Sequence, residues 1–180
     1  MTTAASAGPE QLIPFVPLVT LEWLRDEPER TWKEVQGSLA FVDISGFTAT
    51  SERLSSLGKQ GAEELTEVMN ATFARLLEVG YDRGGGVLKF GGDALLLFFS
   101  GRGHARAAVR AAYEMRRVLN EIGAQETSAG ETTLRMHVGI HSGQFQFFLV
   151  GDTHRELLVC GPSATETVEM EAISEAGEIG

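Results

Sequence analysis

One tract limits the fold of this chain more than any other: Leu88-Lys-Phe-Gly-Gly-Asp-Ala-Leu-Leu-Leu-Phe-Phe99. Two apolar runs are split by Gly91-Gly92, and a two-residue glycine link between such runs reads as a tight β-hairpin. The run after the link reads as buried strand, and Asp93 stands at its edge. A second tract, Phe41-Val-Asp-Ile-Ser-Gly-Phe-Thr48, repeats the pattern with Asp43. An ionised carboxylate beside an apolar core costs several kcal/mol, on the order of the buried-charge penalty, unless it is paired or bound to a cation. Two such carboxylates, each next to glycine, suggest a shared divalent metal, because hard cations take oxygen ligands and share them with phosphates.

The turn after Asp43 adds to this. Strand, short Gly46-containing turn and helix start aim backbone N–H groups and the positive end of a helix dipole at an anion. Lys89 lies four residues before Asp93, inside the first hairpin strand. A lone strand lysine is commonly a solvated outer residue, and here it also neighbours the proposed ligand site. Either aspartate alone reads as a turn former or helix N-cap. Both in matching contexts, with an anion cradle after the first, favour a site.

These segments resemble the catalytic domain of class III adenylyl/guanylyl cyclases. The tract around Asp43 is similar to that family's first metal motif, and Lys-Phe-Gly-Gly-Asp-Ala to its second. Met136-His-Val-Gly-Ile-His-Ser-Gly143 resembles the strand ending in Gly-Ile-His-x-Gly. Val159-Cys-Gly-Pro-Ser-Ala164 resembles the glycine before the family's transition-state helix. The motifs occur in family order from about Gly37 to Gly180. Ile-Ser-Gly-Phe-Thr, the hairpin and Leu21-Glu-Trp-Leu24 are closest to the N-terminal cyclase half of the soluble, bicarbonate-responsive type.

The resemblance implies that Asp43 and Asp93 hold two ions, Mg²⁺ or Mn²⁺, assisted by the Ile44 carbonyl. It implies that Ser45, Gly46, Phe47 and Thr48 cradle the triphosphate of ATP or GTP, and that Lys89 contacts the purine. The implied reaction is attack of the ribose 3′-oxygen on the α-phosphorus, releasing pyrophosphate. Counted from Gly161, the family's transition-state asparagine falls at Thr165 and its arginine at Glu169. The second purine-reading position falls at Leu158. His137 stands where related chains often carry an arginine, and a neutral imidazole is a weaker phosphate partner. The metal half is intact and the transition-state half degraded, so a second cyclase-like domain is expected to supply the clamp. A catalytically inactive pseudo-cyclase that binds nucleotide and regulates its neighbours is the alternative. A diguanylate cyclase, suggested by Gly91-Gly92-Asp93, is disfavoured by the tracts on either side. Family sites lie between subunits, so a weak head-to-tail homodimer or a monomer is expected of this chain alone.

The chain has 180 residues, 43% hydrophobic and 22% charged, with formal net charge −10. That is globular composition of single-domain size. The acidic balance argues against nucleic-acid or anionic-membrane binding, and makes a polyanionic substrate awkward without metal. Cys160 is the single cysteine, in an apolar run that reads as buried. No basic leader or long apolar span appears, which reads as cytoplasmic.

Residues 1–36 read as a lead segment, disordered over 1–10, and 37–180 as the cyclase-like domain. Leu12–Val19 reads as extended and Leu21–Arg25 as a short helix, with Trp23 and Trp32 packing back. Strands are expected at Leu39–Ile44, Val87–Ser100 (the hairpin), Leu134–His141, Phe145–Val150 and Leu157–Cys160, with Ser142-Gly143 as a turn. Helices are expected at Glu63–Gly80 and His104–Ile122, from apolar positions at helical spacing, and at Ala164–Ser174. Gly123–Glu131 reads as a loop. His137 and His141 share a strand face with no Cys, Asp or Glu at useful ligand spacing, and His104 and His154 read as surface residues. The order is an α+β, ferredoxin-like βαββαβ plan. The chain ends at Gly177-Glu-Ile-Gly180, where the family begins another strand, so a piece of a longer protein, C-terminally truncated, is expected.

Overall fold

A computed structural model of the chain describes Ile13, residues 16–174 and residues 177–180. The disordered start expected over 1–10 lies outside the described residues, as do Leu12, Pro14 and Phe15. The elements run α1 (Leu18–Asp26), β1 (Trp32–Ser45), α2 (Phe47–Ser55), α3 (Lys59–Asp82), β2 (Gly85–Gly91), β3 (Ala94–Ser100) and α4 (His104–Ile122). They continue with β4 (Ala124–Thr127), β5 (Gly130–Thr133), β6 (Arg135–Val150), β7 (Glu156–Cys160) and α5 (Pro162–Ile173).

Five strands form one antiparallel sheet in the order β2-β3-β1-β6-β7. The hairpin strand β3 inserts between β1 and β2, which is the split βαβ arrangement of a ferredoxin-like core. Helices α3 and α4 cover one face. Val42, Ile44, Leu95, Leu97, Phe99, Met136 and Val138 meet Phe73, Leu76, Ala108, Ala112, Met115 and Leu119 there. Because side chains alternate across a strand, the intervening residues face the other way. Leu39, Phe98, Phe145 and Phe147 build a second cluster with Trp23 of α1. The sheet curls enough for its two edge strands to meet: Lys89 of β2 ion-pairs with Glu156 of β7.

Several expected boundaries move, each for a packing reason. Ser142-Gly143 is not a turn. β6 runs straight through it, because β1 pairs with it continuously from Trp32 to Ser45. Gly143 is instead a close approach, where a Cβ would lie 2.4 Å from Ser163 Oγ. The expected loop at Gly123–Glu131 is instead most of the hairpin β4–β5, which runs on to Thr133. Its Ser128 is held by the Glu64 carboxylate, and Thr132 Oγ1 meets Thr50 Oγ1 at 2.7 Å. Leu18 and Val19 are helical rather than extended. On α4, Val109 is exposed while Ala111 and Val118 are buried.

Trp23 is buried, but Trp32 is 51% exposed at the outer end of β1. Cys160 is exposed as well. It lies on β7, a strand at the sheet edge, where Leu157 and Val159 turn inward and Leu158 and Cys160 outward. His104 is not a free surface residue. Its Nδ1 lies 2.7 Å from the Oγ of fully buried Ser38, which also meets Ser142 Oγ at 2.6 Å. Among the described residues, no helix is long and apolar enough to cross a membrane.

Candidate active site

Asp43 lies near the end of β1, on the face away from α3 and α4. The ladder sets it opposite Ala94 of β3 on one side and His137 of β6 on the other. Asp93 immediately precedes Ala94 at the hairpin turn, so the fold brings the two aspartates together. Their proximity is felt: the Asp43 carboxyl is held above its ordinary range, first by burial and next by the negative charge of Asp93. The backbone N–H of Ile44 and the His137 imidazole act in the opposite sense.

The turn after Asp43 is built around Gly46. Its φ of +104° is left-handed, and a Cβ there would meet the Thr133 carbonyl at 2.8 Å. That combination calls for glycine. Helix α2 starts at the next residue, so the N–H groups of its first turn, beginning at Phe47 and Thr48, have no intrahelical acceptor. Thr48 Oγ1 lies 3.5 Å from Asp93 Oδ2, linking the turn to the hairpin. Ser45 Oγ points toward the Arg135 carbonyl at 3.4 Å. Asp43, Asp93 and the Ser45–Thr48 turn therefore share one end of the sheet.

Lys89 has a different partner. A β-bulge between Val87 and Lys89 shifts the β2 register, and Lys89 pairs across the strand with Leu96. Its ammonium holds Glu156 and draws that carboxyl below its ordinary range. Lys89 lines two neighbouring clefts. One of about 480 Å³ also involves Val16, Leu21, Tyr81 and Phe90; the other, about 310 Å³, lies toward His154–Leu157. Thr165 and Glu169 are exposed on α5. Thr165 Oγ1 turns back to the Gly161 carbonyl at 3.5 Å. Leu158 is 39% exposed.

His137 departs from the sequence reading. It does meet carboxylates: Nε2 is 3.2 Å from Asp43 Oδ2 and 2.7 Å from Glu171 Oε1. Glu171 went unnoticed because it is far along the chain, on α5. In the structure Thr167 and Glu171, one helical turn apart, share the inward face of α5 against Gly139. His141 pairs instead with Glu166, at 3.1 Å.

Residues 32–180 match the family described as the adenylate and guanylate cyclase catalytic domain. Adenylate cyclase type 10 of Homo sapiens is 35% identical over 146 residues, covering 77% of this chain and 9% of that protein. The protein of the same name from Oryctolagus cuniculus is 32% identical over 138 residues, covering 72% of this chain and 8% of its own length. The chain thus spans less than a tenth of these relatives. Among solved structures, the adenylyl cyclase CyaB from P. aeruginosa is 27% identical with a TM-score of 0.69, covering 83% of this chain and 78% of that one. The guanylyl cyclase Cya2 is 26% identical with a TM-score of 0.69, covering 83% and 76%.

Proposed function

Because this chain belongs to the adenylate and guanylate cyclase catalytic-domain family, we propose that it is the metal-binding half of a nucleotide cyclase, which converts ATP to cyclic AMP and pyrophosphate. The observation that carries the reading is the convergence of Asp43 and Asp93 beside the start of α2. Two partly buried carboxylates that repel one another suit a hard divalent cation, and oxygen donors are what Mg²⁺ and Mn²⁺ prefer. Asp43, Asp93 and the Ile44 carbonyl are the groups that would hold two such ions. When bound, the ions sharpen the ribose 3′-oxygen as nucleophile and neutralise charge on the departing pyrophosphate.

The chain's own residues supply positioning. First-turn N–H groups of α2, with Ser45, Gly46, Phe47 and Thr48, cradle the triphosphate at a positive helix end. Lys89 is the purine-contacting candidate and must exchange Glu156 for the base to serve as one. His137 faces carboxylates here and is a poor phosphate partner in that setting. ATP is the favoured nucleotide by likeness to the adenylate cyclases, with GTP the competitor.

The transition state needs donors that this chain lacks. Thr165 offers one hydroxyl and Glu169 a repelling carboxylate where charge builds on phosphate oxygens. A second cyclase-like domain, in the same polypeptide or another, brings Asn and Arg to Asp43 and Asp93. The decisive test mixes this chain with such a domain and follows cyclic nucleotide formation with Mg²⁺ or Mn²⁺. Activity that neither partner shows alone, lost in Asp43→Ala and Asp93→Ala, is expected. A silent mixture whose components demonstrably associate favours the second reading, a regulatory pseudo-cyclase; Thr165 and Glu169 are the residues that speak for it.

A further inference from the structure

A second donor set shares Asp43 with the aspartate pair. His137 is its direct cross-strand partner, and the imidazole Nε2 faces both Asp43 Oδ2 and Glu171 Oε1. One donor atom from each of the three residues lies within 4.8 Å of the others. The side chains are only 28%, 19% and 14% exposed for Asp43, His137 and Glu171. The far ring nitrogen, Nδ1, is buried without a hydrogen-bond partner. All polar engagement of this imidazole therefore runs through Nε2, toward two carboxylates.

The three donors come from three elements with fixed relative positions. β1 and β6 are laddered together, and Gly139 lets α5 lie against β6. A Cβ on Gly139 would stand 2.2 Å from Glu171 N and 2.4 Å from the Thr167 carbonyl. Glu171 thus descends onto His137 because glycine stands two residues along the strand. Two carboxylates, Asp43 and Glu171, face one imidazole, and that negative charge favours a divalent cation among them.

We propose that Asp43, His137 and Glu171 form a one-nitrogen, two-oxygen site for a borderline divalent transition ion of the Zn²⁺ or Co²⁺ kind. It deepens the cyclase reading, on which it rests only through the shared Asp43. Imidazole suits zinc, cobalt and nickel, whereas an all-oxygen set suits magnesium. The site therefore selects a different ion from the Asp43–Asp93 pair, and an ion in it competes for Asp43. Its occupation should displace Mg²⁺ from the proposed catalytic pair.

The probe is Co²⁺ alone, titrated into the whole chain without nucleotide and read by visible d–d absorption. One equivalent is expected to bind, to be displaced by Zn²⁺, and to resist excess Mg²⁺. His137→Gln and Glu171→Gln should each weaken Co²⁺ binding by more than about 10-fold, while Asp93→Asn changes it by no more than about threefold. Zn²⁺ should also shift the His137 ring-nitrogen NMR signals of the unmodified protein, leaving those of His104, His141 and His154 in place. That measurement needs no variant and so survives any folding defect. If Asp93→Asn abolishes Co²⁺ binding and His137→Gln does not, the ion sits on the aspartate pair and the proposal is overturned, with the cyclase reading intact. Absence of a saturable band, or of a His137 shift, overturns it too. Loss of Mg²⁺–nucleotide binding in Asp93→Asn is the separate check on the cyclase reading.

Discussion

Replacing Gly139 by alanine should move α5 and release Glu171 from His137. The new Cβ would lie 2.2 Å from Glu171 N, 2.4 Å from the Thr167 carbonyl oxygen and 2.8 Å from Glu171 Cα. Ordinary contact begins near 3.4 Å, and every clashing atom belongs to backbone. No rotamer change can relieve that, so α5 must retreat by roughly an ångström, the overpacking case that costs about 1–3 kcal/mol. At the usual conversion for a chain of this size, the melting temperature should fall by roughly 2–12 °C. A retreat of that size stretches the 2.7 Å His137–Glu171 contact beyond hydrogen-bond range. Thermal unfolding followed by circular dichroism reads the first effect, and the His137 ring-nitrogen NMR signals read the second. Both should change together, with the far-ultraviolet spectrum kept. A Gly139→Ala protein that melts with wild type and keeps the His137 signals would refute the claim that glycine sets the height of α5 over β6.

Asp43→Asn should raise thermal stability at neutral pH. The folded state holds the Asp43 proton more tightly than the unfolded chain does, through burial and then Asp93. The wild-type protein is therefore favoured below the ordinary carboxylate range and loses that advantage as pH rises through the folded value. The Asn variant's gain should appear at about pH 7 and vanish near pH 3, as thermal melts across that range can show. Ser38→Ala strands the His104 nitrogen that Ser38 Oγ now meets at 2.7 Å. It should cost about 1–2 kcal/mol, read as a drop of roughly 2–8 °C in melting temperature. Glu156→Gln frees Lys89 from its exposed partner. It should leave melting unchanged while tightening ATP binding, as measured by calorimetry with Mn²⁺. The chain by itself should make little or no cyclic nucleotide, since each missing transition-state donor costs ~10²–10³ in rate.

The parts of the fold legible in sequence were those whose burial is periodic. The α3 and α4 stripes and the apolar hairpin are of this kind, as is the glycine-bounded turn after Asp43. What escaped was set by partners distant in sequence. Trp32–Gln36 is mostly polar and half exposed, and it is strand because β6 lies beside it from Gln144 to Phe148. Ser142-Gly143 has turn composition. Its backbone is extended because Ser142 bonds Ser38 and Gly143 makes room for Ser163. The polar hairpin β4–β5 shows little apolar alternation, and side-chain bonds to α2 and α3 steady it.

The candidate site divides along the same line. Asp43 is legible because it interrupts an apolar strand and Asp93 because it stands at the edge of one, local violations that each segment displays by itself. Glu171 interrupts nothing: an acidic residue on a late helix is ordinary, and only the descent of α5 onto Gly139 gives it meaning. Thr165 and Glu169 share that helix yet lie on its exposed side, while Thr167 and Glu171 turn inward. One helix thus presents two faces with different chemistry. On the proposed cyclase reading, the outward face carries a hydroxyl and a carboxylate where the transition state calls for Asn and Arg. The inward face sets a carboxylate against the histidine that neighbours Asp43. Any second domain that docks on α5 to supply the missing Asn and Arg also presses on the helix that carries Glu171. A shift of α5 on docking would alter the His137–Glu171 contact, and the His137 NMR signals, titrated with such a domain, would report it directly.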